Sequence, residues 1–352
     1  YIYKEETMTK IKSLFISLLL TLGVSTAIAG SHGSTLDVVK ERGKLMCGSN
    51  TGLAGFGNPN DEGVWEGIDV DVCRAVAAAV FGDANAVEFV PTTSKVRFTV
   101  LQSGEIDMLS RNTTWTLQRD VELGLEFVGV NYYDGQGFMV RKDLGVSSAS
   151  ELDGASVCIQ VGTTTEMNLA DYFKANGMSY EPIPVETNSE ADAAYLAGRC
   201  DIYTTDASGL YASRAGYPDP SAHMVLPEII SKEPLGPAVR HGDSEWADIV
   251  RWSLNAMIIA EEKGITSANV DEMLNSKDPE TLRLLGVTKA DTGAYGSWLG
   301  LDDDWAYQII KQVGNYSESF EKHIGVNTPI NIARGLNALY KDGGILYAPP
   351  FR

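Results

Sequence analysis

Positive charge is scarce: 28 Lys and Arg stand against 47 Asp and Glu in 352 residues, a formal net charge of −19, with the acids spread over the whole length. A surface of that sign repels nucleic-acid phosphates and anionic lipid headgroups, so neither is an expected partner. Histidine is scarcer still. His32, His223, His241 and His323 are scattered and no C-x-x-C occurs, so no metal-ligand spacing is present. The sequence has no Gly-Lys-[Ser/Thr] phosphate loop, no assembled Ser/His/Asp arrangement, no paired-carboxylate motif of the glycosidase kind and no low-complexity tract. No cofactor is expected.

What is present is a globular composition, 44% hydrophobic and 9% aromatic, in a chain long enough for two domains. From Met8 the sequence runs Lys10, Lys12, an apolar stretch Leu14 to Val24, then Ala27-Ile28-Ala29. The apolar stretch is too short to span a bilayer, and A-x-A precedes a cleavage point at Gly30, so 8–29 reads as a signal peptide. No Cys follows the cut, so no lipid anchor is implied. Tyr1 to Thr7 precede Met8 and are left out of fold reasoning. An exported chain with four cysteines, Cys47, Cys73, Cys158 and Cys200, is expected to carry disulfides, and three pairings are possible. Cys47 ends a strand-like run and Cys73 lies in the next helix. Cys158 and Cys200 sit early in two strands that a βαβαβ unit places side by side. Cys47–Cys73 and Cys158–Cys200 are favoured; the alternative is four buried thiols.

The first half alternates strands and helices: Lys44–Gly48, a helix Asp69–Phe81 with Asp69 as N-cap, Val87–Val90, a helix near Lys95–Ser103, then Asp107–Ser110. Short β–α–β spacing implies right-handed crossovers and a parallel sheet. The pattern restarts with strand Ser156–Val161, helix Glu166–Asn176, strand Pro182–Val185, helix Glu190–Ala197 and strand Asp201–Thr205. Tyr132–Val140, glycine-punctuated yet strand-like, is a candidate crossing between the two copies, and Pro234–Val239 a candidate return. The expected α/β chain therefore has lobe 1 at 30–137 plus 238–352 and lobe 2 at 138–237. The C-terminal third reads as helices Ser244–Lys263, Ala268–Asn275, Trp305–Tyr316 and Ile330–Lys341, the last stopped by Asp342-Gly343-Gly344.

Ligands of open parallel sheets bind beyond the carboxyl ends of the strands. There the run Ile106 to Asp120 leaves a strand and enters a polar loop whose hydroxyls, N–H groups and Arg119 converge on an anion; Arg119 can grip a carboxylate in a bidentate fork. The bland reading is a solvated arginine at a helix start. In the second copy, Thr163 and Glu166 have capping-box spacing, leaving Thr164 and free N–H groups to face an anion. Asp206 ends the third strand of that copy and can receive an ammonium, or merely cap the helix that follows; Asp201, at the other end, is structural. Phe56 and Trp65 flank a glycine-rich turn and can wall a side chain, or be core like most aromatics.

The chain resembles the periplasmic amino-acid-binding proteins of ABC importers, in particular the general L-amino-acid-binding branch. The likeness is carried by Gly67-Ile68-Asp69-Val70-Asp71-Val72, Arg97 to Asp107, Gly162-Thr163-Thr164, Tyr132–Val140, and the tail Trp305–Arg352 with Ala333-Arg334-Gly335-Leu336 and Tyr347-Ala348-Pro349-Pro350. It implies a type II periplasmic-binding fold, two Rossmann-like lobes joined by a two-strand hinge with the ligand in the cleft between them. By that resemblance Arg119 and the N–H groups of Thr114 and Thr164 hold an α-carboxylate, while Asp206, the Thr114 hydroxyl and the Asn112 carbonyl meet the α-ammonium. Relatives specific for basic amino acids carry an acid where this chain has Asn50. Gln160, Lys95 and Trp115 are candidate side-chain contacts, favouring a broad range or a polar or acidic side chain. Ser94 and Lys95 stand where an aromatic clamp is common. The resemblance implies a periplasmic protein, expected as a monomer, that hands free amino acids to membrane permease subunits. The enzyme alternative, a cyclohexadienyl dehydratase-like lyase, needs a further acid or base, and Glu166 is the candidate near the crevice. A receptor ectodomain needs a spanning run, which does not follow the domain.

Overall fold

The computed structural model describes residues 34–287 and 295–352; the expected signal peptide, 8–29, lies outside them. The chain runs α1 (Thr35–Arg42), β1 (Leu45–Ser49), a small hairpin of β2 (Asn58–Pro59) and β3 (Trp65–Glu66), α2 (Ile68–Phe81), β4 (Val87–Pro91), α3 (Arg97–Gln102) and β5 (Met108–Leu109). A π-helical turn at Gln118–Glu122 leads to β6 (Leu125–Phe127), β7 (Tyr132–Asp134) and β8 (Gln136–Arg141). The second copy is β9 (Ala155–Gln160), α4 (Thr164–Ala175), β10 (Tyr180–Val185), α5 (Asn188–Leu196), β11 (Ile202–Asp206), α6 (Ala207–Ala215) and β12 (His223–Val225). Then come β13 (Glu233–Leu235), β14 (Ala238–Arg240), α7 (Ser244–Glu262), α8 (Val270–Met273), α9 (Pro279–Leu284), α10 (Trp305–Gln312) and α11 (Tyr316–His323).

Two five-stranded sheets share one plan, ordered β4-β1-β5-β14-β6 and β10-β9-β11-β8-β12. In each, three strands pair in parallel, as β–α–β spacing requires, and a fourth, β6 or β12, runs the same way, while β14 or β8 alone runs against its two neighbours. A wholly parallel sheet is therefore corrected to a mixed one. The reversed strand, β14 in one sheet and β8 in the other, is the one by which the chain enters that lobe from the connection, and it arrives running against the repeat. The connection itself is the antiparallel pair β7 and β13, with Glu233 opposite Asp134 and Leu235 opposite Tyr132. β7 lies within the segment Tyr132–Val140 and β13 overlaps the start of Pro234–Val239, and the chain forms two α/β lobes on a two-strand hinge.

Each sheet is tied to its surroundings by a disulfide: Cys47 of β1 to Cys73 of α2, and Cys158 of β9 to Cys200 just before β11. The α2 face that carries Cys73 also buries Val72, Val76 and Ala79 against the sheet. Helix α2 is not capped by Asp69 as expected. Its N-cap is Gly67 at φ 132°, where a Cβ would lie 2.1 Å from the Phe56 carbonyl oxygen, so only glycine fits and Asp69 is carried into the first buried turn.

Two C-terminal expectations are also corrected. The predicted Trp305–Tyr316 helix divides at Gly314 (φ 98°), and Asn315 starts α11 with a capping box to Glu318. Ile330–Lys341 is not an α-helix but two short 3-10 turns, Gly335–Asn337 and Tyr340–Asp342, because Asn331 and Gly335 take positive φ and interrupt helical winding.

Candidate functional site

Beyond the carboxyl end of β5 the polar loop is held from several sides. Asn112, at φ 30°, donates its N–H to Asp69 Oδ2 at 2.6 Å, while Asp69 Oδ1 accepts from Asn131 Nδ2 at 2.8 Å. Asp69 is thus a buried acceptor that shapes the loop, and burial raises its pKa against these bonds. The loop is also zipped to the return strand: Trp115 N–H donates to the Pro234 carbonyl at 2.8 Å and Gly236 N–H to that of Thr113 at 3.0 Å. That pairing brings Thr114 beside β13.

Arg119 sits on the π-helical turn, 6% exposed, and is not the solvated arginine of the bland reading. Its Nη1 donates to the Thr114 carbonyl at 2.9 Å and its guanidinium lies 5.0 Å from the centre of the Phe98 ring. Arg97 covers the same ring at 4.8 Å and donates from Nη1 to Thr113 Oγ1 at 3.1 Å, while its Nε has no partner. Burial lowers the Arg119 pKa to about 10, with Glu233 and then Asp206 opposing the fall.

Facing these cations are carboxylates from the hinge and the second lobe. Asp206, 7% exposed at the end of β11, occupies the N-cap position of α6 yet makes no capping bond. Asp134 takes that role instead, accepting from the Ser208 hydroxyl and from the N–H groups of Gly135 at 2.8 Å and Ser208 at 3.4 Å. Burial, with Asp134 and Glu233 nearby, pushes the Asp206 pKa well above the ordinary carboxylate range. Burial likewise lifts Asp134 to about 6. Asp201 is structural as expected, accepting from the Ser156 N–H at 3.0 Å and hydroxyl at 2.6 Å.

At the start of α4 the Thr163–Glu166 capping box does not form. The Thr163 hydroxyl turns back to the Gln160 carbonyl at 2.7 Å, and Glu166 accepts from Gly162 N–H at 2.8 Å. Thr164 is buried, its hydroxyl 3.4 Å from that of Thr114. Asn50 crosses the cleft, donating from Nδ2 to Asn112 Oδ1 at 3.1 Å and to Asn188 Oδ1 at 3.2 Å. Lys95 meets Glu186 at 3.5 Å in an exposed rim pair, and Gln160 Nε2 donates to the Glu186 carbonyl at 2.8 Å.

The aromatic candidates do not gather at the charges. Phe56 is fully buried, edge-on to Tyr132 at 5.2 Å. Trp65 stacks on Phe89 at 5.1 Å in the small hairpin, and Trp115, 39% exposed, stacks on Phe127 at 5.7 Å. These three rings are occupied by core or surface neighbours. Sequence reasoning missed Glu233, Asp134 and Arg97. Glu233 and Asp134 also mean that Glu166 is not the sole further acid beside the crevice. Their signal was faint: Asp134 stands alone in one crossing segment, Glu233 falls just before the other, and Arg97 sits inside a run noted only for family likeness. Among the described residues no three His, Cys, Asp or Glu side chains are grouped to hold a metal.

A guanidinium from one lobe and a carboxylate from the other have the charges to hold a small zwitterion, and comparison with known proteins gives the family. The chain is 60% identical over 333 residues to the general L-amino acid-binding periplasmic protein AapJ of Rhizobium johnstonii, covering 95% of this chain and 96% of that one. It is 58% identical to the glutamate/glutamine/aspartate/asparagine-binding protein BztA of Rhodobacter capsulatus, covering 94% and 98%. A solved ABC transporter periplasmic binding protein from Brucella ovis, with glutathione bound, superposes with a TM-score of 0.89 at 57% identity, covering 91% of this chain and 100% of that one. Residues 45–264 match the family of bacterial extracellular solute-binding proteins, family 3, and with relatives this similar along nearly its whole length the chain belongs to that family.

Proposed function

We propose that this protein is the periplasmic substrate-binding component of an ABC importer, capturing free L-amino acids by closure of its lobes and delivering them to membrane permease subunits as a monomer. The observation that carries this reading is the opposition of Arg119 and Asp206, both buried and on different lobes. Arg119 with the N–H groups of Thr114 and Thr164 takes the α-carboxylate; Asp206, the Thr114 hydroxyl and the Asn112 carbonyl take the ammonium. Every amino acid presents these two charges, so affinity placed on them yields a broad range. Several charge-assisted hydrogen bonds of roughly 1.5–3 kcal/mol each suit roughly micromolar binding, about −8 kcal/mol.

Arg97, a second buried cation beside Arg119, favours polar or acidic side chains, as the name of the Rhodobacter relative does, while that of the Rhizobium relative favours a broad range. We place lobe 1 at 30–137 plus 238–352 and lobe 2 at 138–237, with 8–29 as the export signal. Two disulfides fit an oxidising compartment. The acids near Asp206 are each engaged by hydrogen-bond donors, which argues against a lyase. Calorimetric titration with the amino acids and with their carboxamides tests the reading. Binding of the acids and not of the amides is expected, and tight binding of an amide would show the anion site to be misplaced.

A further inference from the structure

Glu233 has no part in the ligand contacts assigned above, yet it is the most heavily hydrogen-bonded carboxylate of the cleft. It is 2% exposed on β13, directly before Pro234, where the chain is held extended. Its Oε2 accepts from Thr114 Oγ1 at 2.6 Å and from Thr164 Oγ1 at 2.9 Å. Its Oε1 accepts from Asn168 Nδ2 at 2.7 Å and from Ser231 Oγ at 2.7 Å. Thr114 belongs to the loop after β5, in the first lobe; Thr164 and Asn168 belong to α4, in the second. One carboxylate on the hinge therefore joins both lobes.

We propose that Glu233 is a positioning residue that makes the site demand an α-ammonium group, by fixing which way the Thr114 and Thr164 hydroxyls point. This deepens the amino-acid reading above and rests on it. A hydroxyl has one hydrogen and two lone pairs, whereas a carboxylate can only accept. With both hydrogens committed to Glu233 Oε2, the two threonine oxygens, 3.4 Å apart, have no hydrogen left for each other. What they present to the cleft is lone pairs alone. Lone pairs repel a carboxylate and accept from an ammonium. The hydroxyls therefore join Asp206 on the ammonium side, and the ligand carboxylate is left to Arg119 and backbone N–H groups. Without Glu233 the same hydroxyls would rotate freely and serve either charge, and a ligand lacking the amino group would be tolerated better.

The test uses the whole protein. Wild type is titrated with L-glutamate, L-glutamine, L-aspartate and L-asparagine, and the tightest binder becomes the probe. Failure to bind any of the four overturns the amino-acid reading, and the role of Glu233 with it. Glu233→Gln puts an amide nitrogen, a donor, among the hydroxyls. It should weaken the probe at least tenfold, and in a Thr114→Val background it should add less than threefold, because the hydroxyl it acts through is gone. A smaller loss in the single variant, or the same loss repeated in the Thr114→Val background, overturns the proposal in favour of a merely structural carboxylate. Should Glu233→Gln not fold, Asn168→Ala removes one of the two donors that hold the other carboxylate oxygen, without touching either threonine. Probe affinity should then fall threefold or more, and unchanged affinity overturns the proposal.

Discussion

At the scale of single residues, Arg119 and Asp206 differ from ordinary charges in being buried without a fixed partner for their full charge. Among the described residues the Arg119 side chain makes one hydrogen bond, to the Thr114 carbonyl, and the Asp206 side chain makes none. In the proposed role a ligand supplies what each lacks. Arg119→Lys loses the planar fork and Asp206→Asn loses the charge, so each should weaken every amino-acid ligand by at least about 2 kcal/mol. Unchanged calorimetric affinity in either variant would refute the assignment.

The raised carboxyls also set a pH dependence. Asp134 titrates at about 6 in the empty folded protein, against 3.8 for the ordinary group, so between these values the folded state holds a proton that the unfolded chain has lost. Its contribution thus makes the empty protein less stable as pH rises through that window. Asp134→Asn should flatten this fall in thermal melts between pH 4 and 7, and an unaltered profile would count against it. The ammonium of a ligand acts the other way on Asp206, lowering its raised pKa, so binding should release protons and tighten with rising pH. Calorimetry in buffers of different ionisation enthalpy reads that release directly. Arg119 and Asp206 stand out in the sequence because one ends the polar loop after a strand and the other ends a strand. Glu233 and Asp134 do not, because what makes them part of the cleft is the pairing of β7 with β13, a contact across about a hundred residues that leaves no local pattern.

At the scale of elements, the two lobes meet at backbone as well as through side chains. Gly162, at φ 75°, lies between β9 and α4, and a Cβ there would stand 3.0 Å from Lys95 Cα and 3.2 Å from Lys95 N, on the opposite lobe. Backbone cannot yield as a flexible side chain does. Gly162→Ala should therefore add left-handed strain of roughly 1–2 kcal/mol and wedge the cleft, weakening ligand and reducing the ligand-induced compaction seen by small-angle scattering. Full compaction at wild-type ligand affinity would show that the lobes do not close on this contact. The disulfides act within each lobe. Cys158–Cys200 closes a loop of 42 residues between β9 and β11, and its loss in Cys158→Ser with Cys200→Ser should cost roughly 3–4 kcal/mol. Denaturant unfolding measures this, and a loss below 1 kcal/mol would mean that the sheet alone holds those strands in register. Most helices and the parallel strands were readable here because hydrophobic period is local, whereas the caps at Asp69 and Thr163 were misread. Strand direction in β8 and β14 was not readable, since it depends on how the chain returns from the other lobe.

At the scale of the whole molecule, the C-terminal extension is built onto the hinge. Asn337 treats β7 as a neighbouring strand would: Tyr133 N–H donates to Asn337 Oδ1 at 2.7 Å, and Asn337 Nδ2 donates to the Tyr133 carbonyl at 3.1 Å. Tyr316 donates its hydroxyl to the Asn131 carbonyl at 2.7 Å, and Phe320 stacks on Tyr132 at 6.2 Å. Arg334 locks this buttress in place, reaching both Glu261 oxygens at 2.9 and 3.0 Å while lying 4.9 Å from the Phe320 ring centre and 5.3 Å from that of Tyr316. The hinge thus carries its own pairing to β13 on one side and the extension on the other, so bending must strain or break a defined set of bonds. Asn337→Ala removes two of them and leaves the Tyr133 N–H and carbonyl unsatisfied, a loss of roughly 1–3 kcal/mol confined to the hinge. Hydrogen exchange at Tyr133 should quicken while β9, remote from the extension, keeps wild-type protection. If Tyr133 exchanges no faster in the variant, the extension packs beside the hinge without restraining it, and hinge stiffness must come from β7 and β13 alone.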